Sequence, residues 1–237
     1  MNSYGKRNLD LFYKVDIKPM TNFQTAREAM VDCQVRPSDV TKYPIIDALL
    51  RTPREKYVPK EKRSVAYMGE HITISQNRVI LDPRTFAKML DTVAINSNEL
   101  VLDIACGTGY STAVIAHLAE AVVAIESNEV FAEFAQKALE NESVDNAIVV
   151  NATFIDGAVK HGLYDVIIIQ GAIQNFPESL VKQLKDGGRV VAIFASGAMG
   201  QCKIGIKKGQ NIAWRSEFDA TAPLLKGFTE PKIFSLI

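Results

Sequence analysis

From residue 100 to 194 short apolar runs alternate with longer stretches whose apolar positions recur three and four apart. The runs predict strands near 100–105, 121–126, 147–150, 165–169 and 188–194. The periodic stretches predict helices near 109–119, 128–141 and 176–184. Such alternation predicts an α/β fold, a doubly wound and mostly parallel sheet with helices on both faces. Gly187 and Gly188 are expected to turn the last helix into its strand. Beyond 200 the pattern changes. Residues 202–207 and 211–218 flank Lys208, Gly209 and Gln210, which predicts an antiparallel hairpin closing the sheet. Trp214 and Phe218 on that hairpin are expected to pack against a helix.

Upstream, a helix over 24–35 would carry Ala26, Ala29, Met30 and Cys33 on one face, and Pro37 is expected to end it. Ser38 or Thr41 is expected to cap a second helix with Ile45, Ile46, Leu49 and Leu50 on its apolar face. Residues 60–82 lack a helical period and read as an excursion over the sheet edge. Pro83 opens a helix to Val93 with Phe86, Met89, Leu90 and Val93 facing inward. Residues 1–19 mix charges and aromatics without a period. They read as an N-terminal extension that orders poorly, leaving 20–237 as a single domain with a helical N-terminal extension.

Composition narrows the class. The chain has 237 residues, 47% hydrophobic and 23% charged, as in globular domains. Lys plus Arg and Asp plus Glu are 27 each, so no bulk charge favours nucleic acid or a membrane surface. No apolar stretch approaches the roughly 20 residues of a membrane helix. Cys33, Cys106 and Cys202 have no CxxC spacing, which predicts reduced thiols in a cytoplasmic protein and no metal site.

The candidate chemistry lies in VLDIACGTGY (101–110) and AVVAIES (121–127). A strand, a small-residue turn, a helix and a second strand ending in an acid form a βαβ unit able to hold a nucleoside. Gly107 and Gly109 let backbone approach a ligand. Glu126 can accept two hydrogen bonds from a ribose diol. Asp103 repels phosphate and favours a cationic aminoacyl group. A full GxGxxG and a P-loop lysine are both missing, which argues against dinucleotides and ATP. S-adenosyl-L-methionine is the nucleoside that fits. Cys106 reads as a small residue filling the turn.

Beyond this unit, MVDCQVR (30–36), PREKYVP (53–59), Ala66-Tyr67, YDVIIIQGA (164–172) and FPESLVKQLKDGGRVV (176–191) complete a colinear pattern over roughly 25–195. The chain resembles the protein-L-isoaspartate O-methyltransferases, a family of class I S-adenosylmethionine methyltransferases that act on a carboxylate of damaged proteins. The resemblance implies a Rossmann-like fold and a cofactor site of Asp103, Ala105, Cys106, Gly107, Thr108, Gly109 and Glu126. Ser127, Thr153 and Gln170 complete the expected set.

Three positions depart from the family. Ala105 stands where the family has the first loop glycine. The family's Gly-Gln-Thr-Ile-Ser-Gln-Pro segment falls on 77–83, so Leu81 replaces its serine. The similar string 73–76 offers Ser75 as a substitute hydroxyl if the loop is re-threaded. The family's Gly-Asp-Gly becomes Ala152, Thr153 and Phe154, with Asp156 near but out of register. A carboxylate acceptor is already ionised at neutral pH, so no general base is required. Of the three histidines, His117 is expected mid-helix, His161 in a turn, and His71 near a pocket. Arg78 and Arg84 flank the substrate segment and could pair with an acceptor carboxylate. The expected function is carboxylate methylation on a protein or peptide; a different acceptor, or a binding or regulatory role without turnover, stays open because of Leu81.

Overall fold

The computed structural model describes residues 22–197 and 199–229; the extension expected over 1–19 lies outside them. The Asn22 side chain accepts from the Thr25 amide and starts α1 (Phe23–Met30). The chain then continues through a π turn, Val31–Val35, and a 3-10 turn, Arg36–Ser38. Pro37 is taken into that turn, and the left-handed Asp39 ends it. α2 (Tyr43–Arg51) begins at Lys42 with Pro44 in its first turn. Neither Ser38 nor Thr41 caps it, because a proline start needs one donor fewer. Short 3-10 turns at Arg54–Lys56 and Lys60–Val65 lead to β1 (Ile72–Ser75) and β2 (Arg78–Ile80). α3 (Pro83–Val93) starts where expected, its Asp82 cap accepting from the Thr85 amide at 2.9 Å.

The sheet unit follows as β3 (Leu100–Ile104), α4 (Tyr110–Ala116), β4 (Ala121–Glu126), α5 (Glu129–Asn141), β5 (Ala147–Asn151), β6 (Tyr164–Ile173), α6 (Glu178–Val181), β7 (Leu184–Ser196), β8 (Met199–Lys208) and β9 (Asn211–Asp219). Strand order is β5-β4-β3-β6-β7-β8-β9, parallel through β7, with β8 and β9 added antiparallel. Both faces are covered. Val101, Val122, Val166 and Val191 enter one apolar cluster, while Leu102, Val123, Ile167 and Val190 enter the other. This is why the strands read as continuous apolar runs.

The chain winds outward from β3 through β4 to β5, then returns to pair β6 on the other side of β3. That reversal opens a crevice at the carboxyl ends of β3 and β6, where ligands bind in open α/β sheets. A bulge sharpens it. Pairing of β6 with β7 jumps from Ile168↔Val191 to Ala172↔Ile193, so 169–171 stand out against one residue of β7.

Three expectations are changed or refined. Gly187 and Gly188 lie inside β7, in a second irregularity of the same pairing between Tyr164 and Val166. Trp214 packs edge-on against Phe176 and Phe194, at 5.6 and 4.7 Å between ring centres, in the apolar cluster that also holds Leu180 of α6. Phe218 meets α3, lying under Lys88. A register shift at Cys202/Lys203 separates the two aromatics onto opposite sheet faces. The excursion over 60–82 contains the β1–β2 hairpin, which packs over the carboxyl-end crevice itself: a Cβ on Gly107 would meet Ile74 at 2.7 Å.

Candidate functional site

The turn after β3 uses left-handed backbone at every second position, with φ of 66° at Ala105, 60° at Gly107 and 92° at Gly109. Two amides, Ala105 N and Cys106 N, donate to the Ile125 carbonyl at 2.9 and 3.1 Å, so β4 pins the turn. Gly109 begins α4, and a Cβ there would lie 3.1 Å from Ala135 on α5. Ala105 holds the same left-handed geometry despite its methyl group, a strain of about 1 kcal/mol. The turn therefore holds its left-handed geometry at an alanine.

Two buried carboxylates flank the turn. Asp103 accepts from Ser111 Oγ and Thr112 Oγ1 of α4 at 2.7 and 2.8 Å, and from Gln170 Nε2 at 2.8 Å. Gln170 reaches it because the β6 bulge turns it inward. Burial pushes the Asp103 carboxyl up to about 6, against the opposing pull of its three donors. Glu126, fully buried at the end of β4, accepts from the Gly107 amide and the Asn128 amide, each at 2.9 Å. Its remaining capacity is taken by Arg78 of β2, with Nη1 to Oε1 at 2.8 Å and Nη2 to Oε2 at 2.5 Å. Arg78 Nη2 also donates to the Ala105 carbonyl at 3.1 Å, and the guanidinium stacks 4.9 Å from the Phe154 ring centre. Arg78 Nε is buried with no hydrogen-bond partner among the described residues.

The hairpin thus sits on the turn. Between hairpin, turn and β6 a cavity of only about 10 Å³ survives, lined by Leu81, Ala105, Cys106, Tyr110, Ser111 and Gln170 among others. That is about one water.

The other expected residues divide. Cys106 is buried, and burial raises its thiol well above the ordinary range, so it is a filler and not a nucleophile. Thr108 Oγ1 is buried and unpartnered among the described residues. Ser127 is exposed. Ser75 is also exposed, paired with Arg78 across the hairpin, and is not brought to the carboxylates. Thr153 donates its hydroxyl to the Asp156 carboxylate, so the out-of-register acid is folded back beside the position the family's aspartate would hold.

Leu81 is buried, and its carbonyl accepts from Arg54 Nη2 at 2.7 Å. Arg54 is itself fully buried, donates also to the Ala66 carbonyl, and stacks on Tyr110 at 4.6 Å. Sequence reasoning passed over Arg54; beside Glu55 and Lys56 in the charged 54–56 run, nothing in the sequence set it apart as the buried cation.

A much larger cavity of about 1220 Å³ opens beside the crevice, at the ends of β6 and β7. His71, Asp82, Arg84, Phe194 and Lys203 line it. His71 accepts the Asp82 amide on Nδ1 at 2.9 Å, which leaves Nε2–H to donate to the Thr221 carbonyl at 2.8 Å. His117 lies at the end of α4, where burial lowers its pKa, and His161 lies in a short 3-10 turn. Arg84 is exposed at that cavity, away from Glu126. Among the described residues no group of three or more His, Cys, Asp or Glu is placed to hold a metal ion.

Comparison with known proteins adds a family. The profile of Protein-L-isoaspartate(D-aspartate) O-methyltransferase matches residues 25–217. A protein-L-isoaspartate O-methyltransferase of Koribacter versatilis is 31% identical over 172 residues, covering 73% of this chain and 78% of its own. One from Methanoculleus marisnigri is 33% identical over 166 residues, covering 70% and 76%. A solved protein-L-isoaspartate O-methyltransferase superposes with a TM-score of 0.75 at 23% identity over 85% of this chain and 66% of its own. A Plasmodium falciparum structure described as the same kind of enzyme, in complex with S-adenosyl-L-homocysteine, gives 0.72 at 18% identity over 86% and 98%.

Proposed function

Since the chain belongs to the protein-L-isoaspartate O-methyltransferase family, we propose that it methylates the side-chain carboxylate of isomerised aspartyl residues in proteins or peptides. It is an S-adenosyl-L-methionine-dependent O-methyltransferase of that family. The observation that carries the site reading is the left-handed turn at 105, 107 and 109 with Glu126 beside it, at the sheet's switch point.

The chemistry of these residues fits the cofactor, and their packing as described does not. Glu126 is the acid a ribose diol would bond, Gly107 leaves room for close approach, and Asp156 beside Thr153 offers a carboxylate for an adenine amino group. Yet Arg78 saturates Glu126, and Ile74 fills the space over Gly107. Asp103, with three side-chain donors, fixes α4 and β6 to the turn; any electrostatic help to a sulfonium comes from its charge and not from direct contact.

The donor, when bound, supplies an electrophilic methyl group. The acceptor carboxylate is ionised at neutral pH and needs no base. What this chain must supply is orientation and exclusion of water. The large cavity, with Arg84 and Lys203 on its wall, is of a size to take an acceptor peptide and has cations to meet its charge. The free cysteines, two of them buried, are consistent with a cytoplasmic protein. No helix among the described residues is long and apolar enough to cross a membrane.

Incubation with methyl-labelled S-adenosylmethionine and an isoaspartyl peptide tests the proposal. Base-labile label on that peptide, absent from its aspartyl counterpart, is the expected result; label on neither overturns it. One observation favours a second reading. Leu81, buried where the family's serine stands, offers no hydrogen bond to the acceptor, so a different carboxylate could be preferred. Label on small carboxylic acids but not on the isoaspartyl peptide would select that reading.

A further inference from the structure

The contact between Arg78 and Glu126 joins the β1–β2 hairpin to the carboxylate expected to hold a ribose diol. We propose that the β1–β2 hairpin is a gate on the cofactor site, and that Arg78 holds Glu126 in the place of the ribose diol until the cofactor displaces it. The inference rests on the S-adenosylmethionine reading of the site. Arg78 makes two bonds to the carboxylate, the two that a diol's hydroxyls would make, and a third to the Ala105 carbonyl. With the Gly107 and Asn128 amides also bonded, Glu126 has no unused direction. The neighbouring Ile74 closes the approach over Gly107. Cofactor and closed hairpin therefore exclude each other.

The hairpin can move at its tip, where Thr73, Ser75, Gln76 and Asn77 are exposed, while Ile72, Val79 and Ile80 hold its base in the apolar core. It is a two-stranded sheet of its own, not hydrogen-bonded to the seven-stranded one. Its pairing is irregular between Thr73 and Ser75, and Asn77 at its tip has a φ of 58°. Such a pair has little stability alone, so its position depends on what it touches. Its anchors on the turn are Arg78 and Ile74. Arg78 keeps Nε buried without a partner among the described residues, so the closed contact is not fully satisfied. Opening returns a guanidinium to water, where all five donors are met. Lid closure over Glu126 weakens apparent cofactor affinity by the fraction of time the hairpin is open.

Titration of S-adenosylhomocysteine into the wild type, Arg78→Met and Ile74→Ala tests the gate. Met keeps the apolar stem against Phe154 and removes the competing donors. Arg78→Met is expected to tighten binding by about tenfold, and Ile74→Ala by about threefold, with faster association in both. Ile74 is only partly buried, so its variant carries the test should Arg78→Met fail to fold. Unchanged or weaker binding in the folded variants overturns the gate. If the wild type still transfers label from S-adenosylmethionine in that event, the cofactor reading stands. If neither wild type nor variant binds the thioether or transfers label, the gate and the cofactor reading both fall.

Discussion

Two stretches face each other across the crevice, and they fit the cofactor reading to different degrees. The turn at 103–109 with Glu126 keeps the geometry of a nucleoside cradle even where Ala105 has replaced a glycine. The hairpin and its exit at 72–83 bury Leu81 where the family resemblance places a serine, and present Arg78 to the turn. The difference teaches that a retained binding motif does not by itself leave a pocket. What lies over it decides: the crevice keeps about 10 Å³, while the cavity at the ends of β6 and β7, with none of the motif's carboxylates, holds about 1220 Å³.

Glu126→Gln breaks the comparison most severely, because both sides use that residue. Arg78 would be left largely buried without its anion, a loss of about 3 kcal/mol or more in urea unfolding. S-adenosylhomocysteine binding should weaken at least about tenfold, since the carboxylate gives its bonds to the diol as an ion.

Leu81→Ser asks whether the serine that the family resemblance places here changes turnover. The serine would leave a void and an unsatisfied hydroxyl in a buried position, costing about 2–4 kcal/mol by thermal unfolding. No gain in isoaspartyl methylation is expected, since Arg78 still closes the crevice. A rise in methylation would mean that the serine, not the gate, limits turnover.

Much of the sheet side was legible because strand and helix periods report burial directly. β4 and α3 fall at the expected boundaries, since one ends on a buried acid and the other starts on an Asp-Pro cap. The hairpin was not legible. Its strands are short, and the signal, an apolar–polar alternation around Gln76 and Asn77, is brief. Nor could spacing show that Arg78 meets Glu126, a partner 48 residues away. Asp156 illustrates the same limit: the turn after β5 brings it back to Thr153, which register alone does not foresee.

Asp103→Asn sharpens the account of the cradle's floor. An acid whose folded value is raised from 3.8 to about 6 binds its proton more tightly folded than unfolded. Stability contributed by the protonated form is therefore present below about pH 4 and is lost as pH rises to about 6, on the order of 1–3 kcal/mol. The asparagine variant should show a flatter profile across that window in denaturant titrations at stepped pH. A profile identical to the wild type would contradict the assignment.

Ala105→Gly carries the smallest effect. Relief of left-handed strain, partly offset by a more flexible unfolded chain, should stabilise by about 0.5 kcal/mol and leave binding unchanged. A large change in affinity would mean that the alanine methyl reshapes the turn.

The most direct test is a crystal structure of the protein with S-adenosylhomocysteine. The account predicts the ribose diol on Glu126, the thioether over Gly107, and Arg78 withdrawn from both with the tip of the hairpin displaced. A ligand bound elsewhere, with the Arg78–Glu126 pair intact, would contradict it.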